Sequence, residues 1–207
     1  MGRGEMAILM SKSNKNTEFE VSGHEAVCRE LIELVKPNNL SFLWYRPDIA
    51  AEGGLNLQPD FLLYAPWLGL LVLEVRDWPV LALSGFTEKE IRLESEGRTG
   101  IAAHPLWLAR GIAASVQDII SRWPGLQAYA GVALTEISRD DFVFHGMPAA
   151  FGGTHGLLFA DDIGPKGRLT RDRSGNALKQ ALCRMFQPMP VSVGLTAEIL
   201  AETLKIS

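Results

Sequence analysis

The run LLVLEV, residues 70–75, holds five apolar residues and one carboxylate. A strand with so few polar breaks has to be covered on both faces, so it belongs at the centre of a sheet with helices on either side. Just upstream, DFLLY at 60–64 is a second apolar run, and APWLG at 65–69 supplies the Pro and Gly of a turn. The two runs predict a buried hairpin, yet it carries Asp60, Glu74 and Arg76. Side chains alternate along a strand, so Glu74 and Arg76 share one face while Leu73, Val75 and Asp77 take the other. Thirteen residues separate Asp60 from Glu74, enough for two short antiparallel strands and their turn, so the hairpin can set Asp60 beside Glu74. Two close carboxylates repel unless a proton or a cation intervenes. Mg²⁺ suits such a pair, because it takes oxygen ligands, keeps several waters and shares its remaining positions with phosphate. It would activate a water and neutralise charge developing on that phosphate. An ordinary hairpin with its polar residues in water is the competing reading. The buried character of LLVLEV speaks against it, because an unpaired buried carboxylate is costly.

The rest of the chain places helices around this hairpin. Ser22 and Glu25 have capping-box spacing, and Val27, Leu31, Leu34 and Val35 recur at helical intervals, predicting a helix over about 23–36. Residues 41–47 read as a strand and 49–58 as a loop with a glycine pair. VLALS, 80–84, and EIRLES, 90–95, read as further strands, the latter at an edge. From Pro105, Leu106, Ala109, Ile112, Ala113, Val116, Ile119 and Ile120 form one apolar helical face. A second buried-type strand follows at 128–137. Residues 141–156 are rich in Gly and His and read as a loop, 156–162 as a short strand, 176–186 as a helix and 196–206 as a terminal helix. The order implies an α/β fold, a mixed central sheet flanked by helices. The domain plan is a flexible arm over 1–20, a folded body over 21–190, and a terminal helix or the start of a further region over 191–207.

Composition narrows the function classes. The net charge of −4 excludes a basic nucleic-acid glove and leaves only a local patch for such a role. Cys28 and Cys183 are the only cysteines and lie in separate helical patterns, which argues against a zinc site and for a reducing cytoplasm. MAILM, 6–10, is too short for a signal segment, and no stretch approaches a membrane span. GPKGRL lacks the spacing of a phosphate-binding loop. Arg168, Arg171 and Arg173 are interleaved with Asp172 and read as a solvated loop rather than a grip on a phosphate backbone. His104 reads as a helix N-terminal residue, and His145 and His155 as surface residues. Trp67 and Trp78 read as packing residues.

At the hairpin the sequence resembles a known family. PD at 59–60 followed by EVR at 74–76 resembles the signature of PD-(D/E)XK nucleases, and more closely that of their nuclease-related domain, NERD. SGHEAVCREL, 22–31, is similar to that domain's opening helix, LGLLVLEVRDW to its central strand, and HPLWLARGIAASVQDII, 104–120, to the helix after the hairpin. The resemblance covers roughly residues 22–136 and implies a restriction-endonuclease-like fold. It implies that Asp60, Glu74 and the Val75 carbonyl bind Mg²⁺ (or Mn²⁺), that Glu25 assists from the helix, and that the chain hydrolyses DNA phosphodiesters. The sequence departs from the family pattern at two places. The motif lysine is Arg76, which stays charged at neutral pH and takes no proton from water. The usual Asn or Asp before the helix proline, and the Gln three residues after it, are His104 and Leu108. Two readings of Arg76 stay open: it stabilises a transition state by hydrogen bonding, or it is an ion pair that holds both carboxylates without metal. Two functions follow. One is a metal-dependent deoxyribonuclease impaired by Arg76. The other is a catalytically degenerate nuclease-fold module that binds nucleic acid or a partner protein, as part of a longer helicase-type chain.

Overall fold

A computed structural model describes residues 8–10, 22–35, 40–51, 54, 56–95, 97–163, 167–169, 175–189 and 195–206. In chain order, β1 (Ile8–Met10) is followed by α1 (Ser22–Val35), β2 (Phe42–Tyr45), and the short ladder of β3 (Ile49–Ala50) with β4 (Asn56–Leu57). The hairpin is β5 (Phe61–Ala65) and β6 (Gly69–Arg76). Then come β7 (Leu83–Phe86), β8 (Glu90–Ser95), β9 (Arg98–Ala103), α2 (Pro105–Ile120) and β10 (Ala128–Leu134). The chain continues through α3 (Arg139–Phe144), α4 (Pro148–Phe151), β11 (Leu157–Phe159), α5 (Ala160–Ile163), α6 (Asn176–Phe186) and α7 (Ala197–Leu204).

The central sheet has the order β1-β2-β5-β6-β10-β11. Strand β5 runs antiparallel to both β2 and β6, whereas β6, β10 and β11 run parallel to one another. This is the expected α/β architecture, a mixed sheet flanked by helices, and it is compatible with a restriction-endonuclease-like fold. The predicted central strand is central because alternate residues serve two cores. Leu71, Leu73 and Val75 pack with Val27 and Leu31 of α1 and Leu182 of α6. Leu70 and Val72 pack with Ile112 and Val116 of α2 and Leu200 and Leu204 of α7. The terminal helix α7 therefore sits in the same core as the sheet. Gly69 opens β6 at φ +97°, where a Cβ would lie 2.5 Å from the Gln127 carbonyl oxygen, so only glycine fits this turn. No helix among the described residues is long and apolar enough to cross a membrane.

Three expectations are corrected. EIRLES is not an edge strand: β8 is the middle of a separate three-stranded sheet, β7-β8-β9. Its second partner β9, RTGIAA, is largely exposed and gives no buried-strand pattern to read. Residues 141–156 are not simply a loop. They include most of α3 and all of α4, because Phe142, Met147 and Phe151 are buried in a third core against Phe159 and Ile91. Within the 1–20 arm, Ile8–Met10 adds a parallel strand to β2, while 1–7 and 11–20 lie outside the described residues.

Helix α1 starts unusually close to the ends of β6 and β10. A Cβ at Gly23 would lie 2.4 Å from Thr135 Oγ1 and 3.2 Å from the Asp77 Cβ. Overpacking of this kind costs about 1–3 kcal/mol. Gly23→Ala is therefore expected to lower the urea midpoint by that amount of free energy, with Thr135→Ala in the same chain recovering most of it. An unchanged midpoint in Gly23→Ala would rule out this close approach.

Candidate functional site

The site grows from the hairpin register. Phe61 pairs with Leu73, so one step further out Asp60 faces Glu74 across the two strands. Arg76 lies two residues beyond Glu74 on the same face of β6. The sheet thus delivers all three to the end of β6, as the alternation predicts.

Arg76 is the centre of the cluster. Its Nη1 donates to Asp60 Oδ2 at 2.9 Å and to the Val75 carbonyl at 2.6 Å, and its Nη2 donates to Glu74 Oε2 at 2.8 Å. Asp60 Oδ2 also accepts the Val75 backbone N–H at 2.9 Å. His24 Nε2 lies 3.2 Å from Asp60 Oδ1, although its N–H is poorly aligned for a hydrogen bond. Arg46 Nε is 3.7 Å from that oxygen, and the Arg46 backbone N–H donates to the Asp60 carbonyl at 2.9 Å. Arg46 holds this position at φ +44°, a conformation that costs a non-glycine residue on the order of 1 kcal/mol or more.

The two carboxylates differ in environment. Burial alone raises the Asp60 pKa, but the His24 ring, the Val75 N–H and the Arg76 charge outweigh it and hold Asp60 below its ordinary value. Glu74 is only 3% exposed and its Oε1 has no hydrogen-bond partner. Burial first, and the nearby Asp60 charge second, raise its pKa despite the Arg76 contact. One carboxylate is thus tuned to stay ionised and the other to accept a proton.

Of the residues named from the sequence, Asp60, Glu74, Val75 and Arg76 come together. Glu25 does not join them: it is exposed on α1 and pairs with Arg29 at 3.1 Å, one turn away. The residue that α1 turns toward the site is His24, one position earlier and 6% exposed. A step of one residue rotates a helical side chain by about 100°, so the face bearing Val27 and Leu31 was the available signal. His104 is the N-cap of α2, where its Nδ1 accepts the Trp107 N–H at 3.4 Å. Its burial, and secondarily Arg110, depress its pKa. Leu108 packs into the α2-side core. His145 and His155 are exposed. Trp67 and Trp78 pack against buried clusters, as expected. Arg168 is exposed yet anchored to the buried Asp162 through Nε at 2.6 Å. Asp162 also accepts the Phe159 N–H and pairs with Arg139 at 3.3 Å. Arg171 and Arg173 lie outside the described residues.

The donors expected for Mg²⁺ are Asp60, Glu74 and the Val75 carbonyl. The Arg76 guanidinium takes an oxygen from each, and Arg46 and His24 crowd the remaining Asp60 oxygen. So arranged, these residues do not fit a divalent cation. Among the described residues no group of three or more His, Cys, Asp or Glu side chains gathers as a metal cage. In comparisons with known proteins, no family model, no curated protein and no solved structure matches the chain.

Removing one partner of a buried ion pair leaves an uncompensated charge, at a cost of about 3–5 kcal/mol. Arg76→Ala is expected to lose this much at neutral pH. A carboxylate with a raised pKa, such as Glu74, favours the fold most when protonated, and that contribution fades as pH rises through its folded pKa. Asp60 works the other way, its contribution fading as pH falls through its lowered pKa. Without Arg76, the pKa of Glu74 rises further, so the deficit of Arg76→Ala should shrink between pH 7.5 and pH 5 in urea titrations. A deficit that is the same at both pH values would mean that Glu74 does not carry the penalty.

Proposed function

We propose that this chain is a nuclease-fold module that binds nucleic acid and in which Arg76 has replaced the catalytic cation, so that it engages phosphodiester backbones without cutting them. One observation carries the reading: a single guanidinium satisfies the three oxygen groups that the motif would offer to Mg²⁺. Arginine also cannot serve as a base at neutral pH. The positively charged Arg46 at the rim, with a half-exposed side chain, suits an approaching phosphate oxygen. The resemblance at 59–60 and 74–76 supplies the choice of nucleic acid as target.

A second reading rests on Glu74 Oε1, which is buried without a partner. In that reading Asp60 and Glu74 would hold Mg²⁺ or Mn²⁺ once released by Arg76, and the metal would supply an activated water for hydrolysis of DNA. The two readings separate in one assay. The non-cutting reading expects labelled single- and double-stranded DNA to stay intact with the purified chain and either metal, and no Mn²⁺ uptake by electron paramagnetic resonance. Arg76→Lys, which cannot hold both carboxylates through a planar fork, should gain Mn²⁺ binding. Metal-dependent cleavage by the unaltered chain, abolished by Glu74→Gln, would establish the hydrolase instead.

A further inference from the structure

Away from Arg76, three cavities follow one another from α2 to β11. The largest, about 710 Å³, has Phe86, Trp107 and Phe151 in its walls. It shares Leu106 and Arg110 with a second cavity of about 350 Å³, lined by Tyr129 and Phe186. The second shares His155 with a third of about 330 Å³, lined by Arg139, Arg168 and Arg184.

Charge along this track is opposite to that of the whole chain. Four arginines line it against two carboxylates, Glu88 and Asp162, whereas the chain carries −4. Arg110 and Arg184 are exposed and make no ion pair among the described residues. Asp162 is buried and spends its oxygens on Arg139, Arg168 and the Phe159 N–H. It fixes those two guanidinium groups in place rather than presenting negative charge to a ligand. Lys89 adds a further cation 5.7 Å from the Trp107 ring. Trp107 itself is 43% exposed, which leaves ring surface open.

We propose that this track binds single-stranded nucleic acid. Alternating cations and aromatic faces match a strand whose phosphates need charge and whose unstacked bases need a flat partner. A duplex hides its base faces and gains nothing from walled cavities with Trp107, Tyr129 and Phe186. The proposal rests on the reading of the chain as a nucleic-acid module, but it uses none of the residues around Arg76. The parallel run of β6, β10 and β11 places Arg76, on β6, and Asp162, just past β11, toward the same carboxyl-terminal ends of the strands.

The test is fluorescence anisotropy of the full chain with a short labelled oligo-dT. Binding should weaken as salt rises, and Arg110→Glu with Arg184→Glu should weaken it by about tenfold or more, as expected when phosphate contacts become repulsive. Should that pair disturb folding, as read by circular dichroism, Arg110→Gln with Arg184→Gln should still give a severalfold loss, and Trp107→Ala a separate one. Binding left unchanged by these variants overturns the track but not the nucleic-acid reading. Absence of any DNA binding by the unaltered chain overturns both. Tighter binding to a duplex than to the single strand overturns the single-strand assignment.

Discussion

Arg76 holds together two carboxylates that the hairpin register forces side by side at the end of a strand buried on both faces. The register is not free to change. A slip of one residue would turn Leu71, Leu73 and Val75 from the α1 side to the α2 side and undo two cores at once. Burial of β6 therefore dictates that Asp60 meets Glu74. A proton or a cation must then relieve their repulsion, and in this chain a cationic side chain of the same strand lies between them.

That solution shapes the neighbourhood. Asp60 gathers a backbone N–H, Arg76, His24 and Arg46, and stays ionised. Glu74 takes Arg76 on Oε2, while its Oε1 is buried without a partner. A guanidinium is planar and permanently charged, and it bridges both carboxylates with two nitrogens while also reaching the Val75 carbonyl. Lysine offers a single nitrogen for the same task. Arginine and lysine are therefore not interchangeable in such a place: arginine favours a closed ion-pair network over a site that exchanges ligands. Gly23 belongs to the same construction, because only a glycine lets α1 descend far enough for His24 to reach Asp60.

Asp60, Glu74 and Arg76 were legible as a cluster because period-two alternation and hairpin length are local properties. His24 was not. The family resemblance points to Glu25, and one residue on a helix is the difference between facing solvent and facing the sheet. The track from α2 to β11 was equally hidden. Its arginines at 110, 139, 168 and 184 are scattered in sequence and share no motif. Asp162, which organises two of them, reads in sequence as one of two ordinary acidic residues, although it is nearly fully buried.

By itself the sequence determined the apolar runs and their periods, and so the central hairpin, the long helix over 105–120 and the mixed sheet with helices on both faces. Hydrophobic periodicity is written along the chain and needs no partner to be read. Only the tertiary structure decided that EIRLES lies inside a second sheet, that 141–156 folds into short helices, and that Arg76 bridges its neighbours. Each of these depends on which distant surface lies opposite. Side-chain pairing across strands, and burial against residues far away in sequence, arise only when the sheet closes.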